Sequence, residues 1–276
     1  MNIAGHAIEG TNYRIVDEHG CRCLMVQGDD SFIMSTMRLA EPDALVSAYT
    51  KNMMKLLVFK PQPTDIVLIG LGGGQQAKFV HRRRPGTRLV AVEIDPAMVR
   101  IAREYFGFPP DDERLSVVVG EGGAYVSAHP DSCDVILSDG YDQQFLLHDS
   151  LSAEDYYHAC HRALRAGGIM AANLHRKTRA WCEAHMAMVS EIFPMVMAID
   201  TSDDQVVLMM FRSLPEFDWP VLAERAELLE QRLGLGLPDF VREFTAAYKR
   251  KTAARTESEA PRQCAGSINS APSLRA

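Results

Sequence analysis

The chain has 276 residues, of which 47% are hydrophobic, and its formal net charge is −7 at pH 7. This length suits one large domain with a small appendage, and the apolar content is ample for a buried core. No apolar run approaches the roughly 18 residues that a membrane span needs, and the first residues do not resemble a signal peptide. The acidic balance argues against nucleic acid as the main partner and suits a cationic substrate. We therefore expect a cytoplasmic protein with neither a membrane partner nor a nucleic-acid partner.

The six cysteines contain no Cys-x-x-Cys pair and no dense disulfide framework, which fits a cytoplasmic location. Cys21 and Cys23 lie near His19, and zinc binding is one interpretation of this group, although buried strand cysteines are far more common. His158 and His161 are three residues apart, but the sequence offers no third ligand beside them. We therefore predict no metal site.

Residues 1–40 predict a small antiparallel sheet. Three β-prone segments, at 13–16, 21–26 and 31–36, are separated by turns rich in Asp and Gly, as in strands joined by hairpins. Such a sheet is too small to be stable alone, so it is expected to pack on the main domain or on another subunit. Apolar residues at helical spacing over 45–57 predict a helix after it.

An apolar run that breaks into glycines, at residues 66–74, is the feature around which the rest of the chain is organised. It predicts a buried parallel strand feeding a helix, an arrangement that binds a nucleotide-like group at the carboxyl end of the strand. The dinucleotide pattern G-x-G-x-x-G/A requires a small residue where Gln75 stands. Gly70, Gly72 and Gly74 instead form G-x-G-x-G, which fits an S-adenosyl group better than NAD.

Acidic residues follow the next two predicted strands, at 88–92 and 115–119. Glu93 comes about twenty residues after the glycine loop, where a carboxylate can accept hydrogen bonds from ribose hydroxyls. Asp95 precedes Pro96 and is expected to cap the following helix. Glu93 has a second interpretation, in which it is only an exposed neighbour of this cap and binds no ligand. Glu121 reaches the same sheet edge, where it is either an acceptor for the exocyclic amine of adenine or a solvated turn residue.

Two further carboxylates, Asp139 and Asp142, follow the fourth strand of the main domain, predicted at 133–137. Carboxylates at this position can bind an ammonium group and help to remove its proton.

The remaining pattern indicates the fold class. A helix from residue 152 with a start like a capping box, ended by Gly167 and Gly168, leads to a fifth strand at 169–174 and a helix at 179–193. A pair of strands at 195–199 and 205–211 then adds one antiparallel strand to a parallel sheet. We therefore predict an α/β fold: a Rossmann-like, seven-stranded sheet of the class I S-adenosylmethionine methyltransferase type, with a small N-terminal antiparallel β-sheet. Helices at 221–233 and 238–249 complete a catalytic domain at 41–250, and residues 251–276 are expected to form a disordered tail.

Over most of residues 10–212 the chain resembles the spermidine synthase (polyamine aminopropyltransferase) family. The resemblance rests on the small N-terminal sheet and on motifs that fall in the family's order: Val92-Glu-Ile-Asp95, Gly120-Glu-Gly122, Asp134-Val-Ile-Leu-Ser-Asp139 with Asp142, and Leu151-Ser-Ala-Glu-Asp-Tyr-Tyr157. It implies transfer of an aminopropyl group from decarboxylated S-adenosylmethionine to a diamine or polyamine, with release of 5′-methylthioadenosine. It also implies a homodimer.

By position, the resemblance implies a role for each candidate residue. Glu93 would hold the ribose, and Glu121, in place of the family's aspartate, would hold the adenine. Asp139 would assist deprotonation of the attacking amine, while Asp142 and Tyr49 would help to form the amine pocket.

The chain departs from the family pattern at Glu121 and at several other places. Residues 203–211 replace the aromatic-rich segment that the family has near the terminal hairpin. Gly73 stands where the family's glycine loop has an aspartate, Thr50 stands where a histidine often follows the tyrosine, and Met34 stands near the pocket glutamine. Two alternatives therefore stay open: methyl transfer from S-adenosylmethionine itself, and a non-catalytic homologue that binds the nucleoside.

Overall fold

The computed structural model describes residues 5–30, 32–141, 149–175, 178–202 and 205–259. Within these ranges the strands are β1 (His6–Ala7), β2 (Tyr13–Glu18), β3 (Cys21–Val26), β4 (Ile33–Arg38), β5 (Asp65–Ile69), β6 (Arg88–Glu93), β7 (Leu115–Val119), β8 (Cys133–Ser138), β9 (Leu164–His175), β10 (Met195–Ser202) and β11 (Gln205–Phe211). The helices are α1 (Ala48–Met54), α2 (Gln75–Arg83), α3 (Pro96–Tyr105), α4 (Gly122–Ala128), α5 (Glu154–Ala163), α6 (Arg179–Ile192), α7 (Trp219–Leu233) and α8 (Leu237–Glu259).

Seven strands form the main sheet in the order β10-β11-β9-β8-β5-β6-β7. Neighbouring strands from β9 to β7 run parallel, while β11 is antiparallel to both β9 and β10. The strand order reverses between β5 and β8, so their carboxyl ends open a crevice there. The predicted seven-stranded α/β fold is confirmed.

Alternation along the central strands builds a core on each face of this sheet. In β5, Ile66 and Leu68 pack in one cluster with residues of α2, α7 and α8, whereas Val67 and Ile69 pack in the other with residues of α5 and α6. Successive side chains of a strand point to opposite faces of the sheet, and both faces are buried here. Every residue of β5 after Asp65 is therefore apolar. None of the helices in the described ranges combines the length and apolarity needed to cross a membrane.

The small sheet has four strands in the order β1-β2-β3-β4, one more than expected, because His6 and Ala7 pair with β2. It packs on α3 of the main domain: Leu24 and Met37 share a buried cluster with Met98 and Ile101. This contact supplies the apolar burial that a lone small sheet lacks.

Several element bounds differ from the prediction. The helix expected at 45–57 is α1 followed by a 3₁₀ turn at Lys55–Val58, and α8 continues to Glu259 rather than ending at residue 249. The helix expected to end at Gly167 and Gly168 ends at Ala163, and the glycines lie inside β9, where its register against β8 shifts. The expected capping box is also wrong, because the N-cap of α5 is Ala153, which makes no side-chain cap hydrogen bond.

Lys78 of α2 is a cation buried between the main domain and the small sheet, with 2% of its surface exposed. Its Nζ donates to the Phe106 carbonyl at 2.5 Å and lies 3.3 Å from Met37 Sδ. Burial lowers the pKa of Lys78 from 10.5 to about 8, although Asp43 opposes the change. The charged form is therefore destabilised in the folded protein.

We expect the free energy of unfolding to rise as the pH increases from about 8 to about 10.5. In this window the unfolded chain still holds the Lys78 proton while the folded chain has released it, so the folded state binds fewer protons. The rise is at most about 1.4 kcal/mol per pH unit for one group. Urea unfolding at several pH values measures it.

Lys78→Met is the control, since it removes the titrating group and retains an apolar chain of similar length. Tyrosines titrate in the same pH range and contribute to both proteins. The difference between the two slopes of unfolding free energy against pH therefore belongs to Lys78. Equal slopes would contradict the assignment.

Candidate active site

A cavity of about 780 Å³ lies at the carboxyl ends of the parallel strands. Its walls come from β4 of the small sheet, from the start of α1, from the loops that follow β5 to β8, and from the ends of β9, β10 and β11. This volume is in the range of pockets for small molecules. The described residues contain no group of three or more His, Cys, Asp or Glu that could hold a metal ion.

The glycine loop forms the floor of the cavity. Gly70, Gly72 and Gly74 all have positive φ, and Gly70 and Gly72 line the cavity. A Cβ at Gly70 would overlap the backbone of Asp139, so this glycine permits the close approach of two strand ends. Gly74 is the N-cap of α2 and packs against Phe108.

Gly73 is closely packed by two neighbouring side chains. A Cβ there would be 2.7 Å from Ser35 Oγ and 2.8 Å from a ring carbon of Phe106. The Gly73 N–H donates to Ser35 Oγ at 3.0 Å. An aspartate at this position would therefore require the side chains of Ser35 and Phe106 to move.

Glu93 ends β6 and lines the cavity with 7% of its surface exposed. Its Oε2 accepts from Leu71 N at 2.8 Å and its Oε1 accepts from Asp95 N at 2.9 Å. Burial raises the pKa of Glu93, while these backbone donors oppose the rise. Each oxygen retains a lone pair for a ligand hydroxyl. Asp95 caps α3 as predicted, through its Oδ1 and Ala97 N.

Glu121 lines the cavity and is also the N-cap of α4, a helix that the sequence analysis did not predict. Its Oε1 accepts from Gly123 N and from Ser150 Oγ, both at 2.9 Å, and its Oε2 accepts from Ala124 N at 2.6 Å. These bonds hold the carboxylate in place after β7, in the wall of the cavity that Gly70 and Gly72 also line.

Asp139 follows β8 and is surrounded by neutral hydrogen-bond donors. Its Oδ2 accepts from Gln76 Nε2 and its Oδ1 accepts from Asn173 Nδ2, each at 2.8 Å. The Tyr49 hydroxyl is hydrogen-bonded to the same carboxylate. Burial raises the pKa of Asp139, and the donors oppose the rise. Burial and the Asp139 charge raise the pKa of Tyr49, so this hydroxyl stays protonated and donates.

The hydrogen-bond partners Gln76, Asn173 and Gln205 are residues of this site that the sequence alone did not reveal. Asn173 lies near the carboxyl end of the predicted fifth strand. Polar residues at the carboxyl ends of parallel strands are candidates for ligand binding, and this rule, which selected Glu93, also applies to Asn173. No local signal marks Gln76 or Gln205. Asp142, the second predicted carboxylate of this loop, lies outside the described residues.

The acidic side chains among the described residues that line the cavity are Glu93, Asp95, Glu121 and Asp139. His175 also lines it, and these described lining residues include neither Lys nor Arg. Carboxylates in a concave, partly dry site attract cations. The cavity is therefore suited to a ligand that carries positive charge.

Comparison with known proteins places these features in a family. The Spermine/spermidine synthase domain matches residues 30–210. The polyamine aminopropyltransferase of Chromobacterium violaceum is 32% identical over 212 residues, which are 76% of this chain and 80% of that protein.

Two solved structures share the fold. A probable spermidine synthase from Corynebacterium glutamicum has a TM-score of 0.67 at 20% identity and covers 87% of this chain and 92% of its own. Human methyltransferase-like protein 13, solved in complex with SAH, has a TM-score of 0.62 at 25% identity and covers 68% of this chain and 93% of its own. The domain match and the aminopropyltransferase relative identify the chain as a member of the spermine/spermidine synthase family.

Proposed function

We propose that the protein transfers the aminopropyl group of decarboxylated S-adenosylmethionine to a diamine or polyamine and releases 5′-methylthioadenosine. Membership of the family supports the reaction class. The observation that carries the choice of donor is the cavity wall, whose described residues include four carboxylates and neither Lys nor Arg. A homodimer and a cytoplasmic location stay predictions from the sequence.

The donor and the wall have complementary charges. A decarboxylated donor presents a sulfonium and an ammonium, and no anionic group. A donor that keeps its carboxylate would bring a negative charge next to Asp139 and Glu93, which costs free energy without a nearby cation. We propose that Gly70 and Gly72 approach the nucleoside, that Gly74 orients α2, that Glu93 binds the ribose and that Glu121 lies beside the adenine.

Asp139 is suited to act on the amine. An alkylammonium has no lone pair, so it must lose a proton before it can attack. Asp139 attracts the ammonium and accepts that proton, and Tyr49 helps to form the amine pocket. The family resemblance implies the same role for Asp142. The freed lone pair forms a new N–C bond to the methylene carbon attached to sulfur. The C–S bond breaks with its electron pair going to sulfur, and the neutral thioether leaves. In-line alignment of nitrogen, carbon and sulfur supplies much of the rate.

Methyl transfer from S-adenosylmethionine is the second candidate, and two observations favour it. The chain shares its fold with a methyltransferase-like protein, and Gly73 stands where the family's glycine loop has an aspartate. Under this alternative the protein would prefer the donor that keeps its carboxylate.

The test combines binding and turnover. The pure protein is incubated with decarboxylated S-adenosylmethionine and each member of a panel of diamines and polyamines, and released methylthioadenosine is quantified by chromatography. Parallel reactions contain S-adenosylmethionine, and calorimetry compares the affinities of both donors. We expect amine-dependent release of methylthioadenosine and tighter binding of the decarboxylated donor. No release with any amine, or tighter binding of S-adenosylmethionine, would overturn the proposal.

A further inference from the structure

We propose that Asn173 is a positioning residue for Asp139, and that Gln205 holds the Asn173 amide with its nitrogen toward the Asp139 carboxylate. This inference rests on the proposed function for its catalytic meaning. The hydrogen bonds themselves are independent of which reaction the site performs.

The hydrogen bonds of Asn173 have a defined direction. Its Nδ2 donates to Asp139 Oδ1 at 2.8 Å, as a carboxylate that can only accept requires. The Asn173 carbonyl oxygen then faces away from Asp139 and accepts from Gln205 Nε2 at 2.9 Å. Nitrogen and oxygen alternate consistently along this chain of three side chains, which we call the amide relay.

The backbone of the main sheet holds the relay residues in place. Asn173 lies in β9 with 2% of its surface exposed, and Gln205 begins β11, the strand that pairs with β9. Both residues therefore project from the main sheet rather than from a surface loop. If the Asn173 amide rotated by half a turn, its oxygen would face the Asp139 carboxylate and its nitrogen would face the Gln205 nitrogen. Two favourable contacts would become two unfavourable ones.

The charge of Asp139 depends on an electrostatic balance. Burial favours the protonated carboxyl, and the opposing contributions come from Asn173, Tyr49 and Gln76, all of them neutral donors. Hydrogen bonds to the ionised form favour it. No cation is among these contributions, so loss of one donor shifts the balance toward the protonated acid. A protonated Asp139 can neither attract an ammonium nor accept its proton.

Two other titratable groups, Tyr141 and His175, face the relay. Burial and the Asp139 charge raise the pKa of Tyr141. The Nε2 atom of His175 lies 3.5 Å from Gln205 Nε2.

Two substitutions at Asn173, both of similar size to the original, separate positioning from packing. Asn173→Leu removes the donor and keeps the volume, so the pKa of Asp139 should rise. Asn173→Asp replaces the donor with a second carboxylate, so the pair should share a proton and titrate at least one unit higher than in the leucine variant.

The readout is a carbon-13 NMR titration of the aspartate carboxyl groups in the full-length protein, with Asp139→Asn used to assign the resonance. It requires no turnover, so it stays informative if aminopropyl transfer is not observed. Calorimetry with methylthioadenosine reports whether each variant retains its fold. Where the enzyme turns over, the acidic limb of kcat/KM against pH should move with the same pKa. An Asp139 titration unchanged in both variants would overturn the proposal.

Gln205 does not touch Asp139, so it tests the relay from a distance and also serves if the Asn173 variants fail to fold. In Gln205→Glu a carboxylate would compete with Asp139 for the single Asn173 amide nitrogen, whereas Gln205→Leu would not. We expect the pKa of Asp139 to be higher in the glutamate variant than in the leucine variant. This difference should shrink when Asn173→Leu is also present, because only the through-space charge effect is left. Equal pKa values, or a difference that persists undiminished, would overturn the role of Gln205.

Discussion

Asp139→Asn is expected to lower kcat by about 10²–10⁴-fold, the usual contribution of a positioned general base. The substitution keeps the shape of the side chain and removes both the charge that attracts the ammonium and the site that accepts its proton. Affinity for methylthioadenosine should change little, because the nucleoside is assigned to the glycine loop, Glu93 and Glu121. Steady-state release of methylthioadenosine and calorimetry with the same nucleoside measure the two quantities separately.

Asp155→Asn is the charge-matched control, because Asp155 is an exposed residue in the first turn of α5. It should leave kcat unaffected. An Asp139→Asn protein with kcat near that of the control would contradict the role of Asp139. A protein that binds methylthioadenosine but shows no activity with any amine, before and after substitution, would indicate the non-catalytic homologue.

Gly70→Ala is expected to be the most destabilising single substitution in the glycine loop. Gly70 has φ of +87°, which disfavours any L side chain, and the added Cβ would overlap the carbonyl of Asp139. The backbone on both sides is held in the sheet, since Asp139 N donates to Ile69 O at 2.8 Å. We expect a loss of more than about 3 kcal/mol in the free energy of unfolding.

Gly20→Ala separates the cost of the positive φ from the cost of the overlap with Asp139. Gly20 has φ of +75°, and no atom lies within 4 Å of the position that an added Cβ would take. Its cost should be that of the backbone conformation alone, about 1–2 kcal/mol. Urea unfolding of both variants gives the difference that belongs to the Asp139 contact. Affinity for methylthioadenosine should fall in Gly70→Ala only. Equal destabilisation in the two variants would contradict the close approach of the strand ends.

The sequence predicts the sheet well because its strands carry strong local signals. Residues 66–69 are all apolar and end in glycine, and Glu93 and Asp139 directly follow such runs, so strand ends and cavity residues are found together. Weaker local signals were misleading. The pair Gly167 and Gly168 indicates a helix end or a strand irregularity equally well, and only the pairing of β9 with β8 distinguishes them.

The residues that the sequence could not reveal acquire their role through distant partners. Gln76 meets Asp139 from 63 positions away, and Gln205 meets Asn173 from 32 positions away. Their side chains are ordinary in their own segments, and neither lies directly after an apolar strand. For Glu121 the sequence predicts the position, directly after β7. It does not predict the backbone donors of α4 that hold the carboxylate, because α4 itself is not predicted.

The contact between Ser35 and Gly73 means that a residue of the small sheet limits which residues the glycine loop can carry. The Ser35 hydroxyl accepts the amide hydrogen of Gly73, and Phe106 closes the other side. A carboxylate installed at position 73 would therefore displace the side chains of Ser35 and Phe106. An engineer would have to choose residues 35, 73 and 106 together, so these three positions form one unit of redesign.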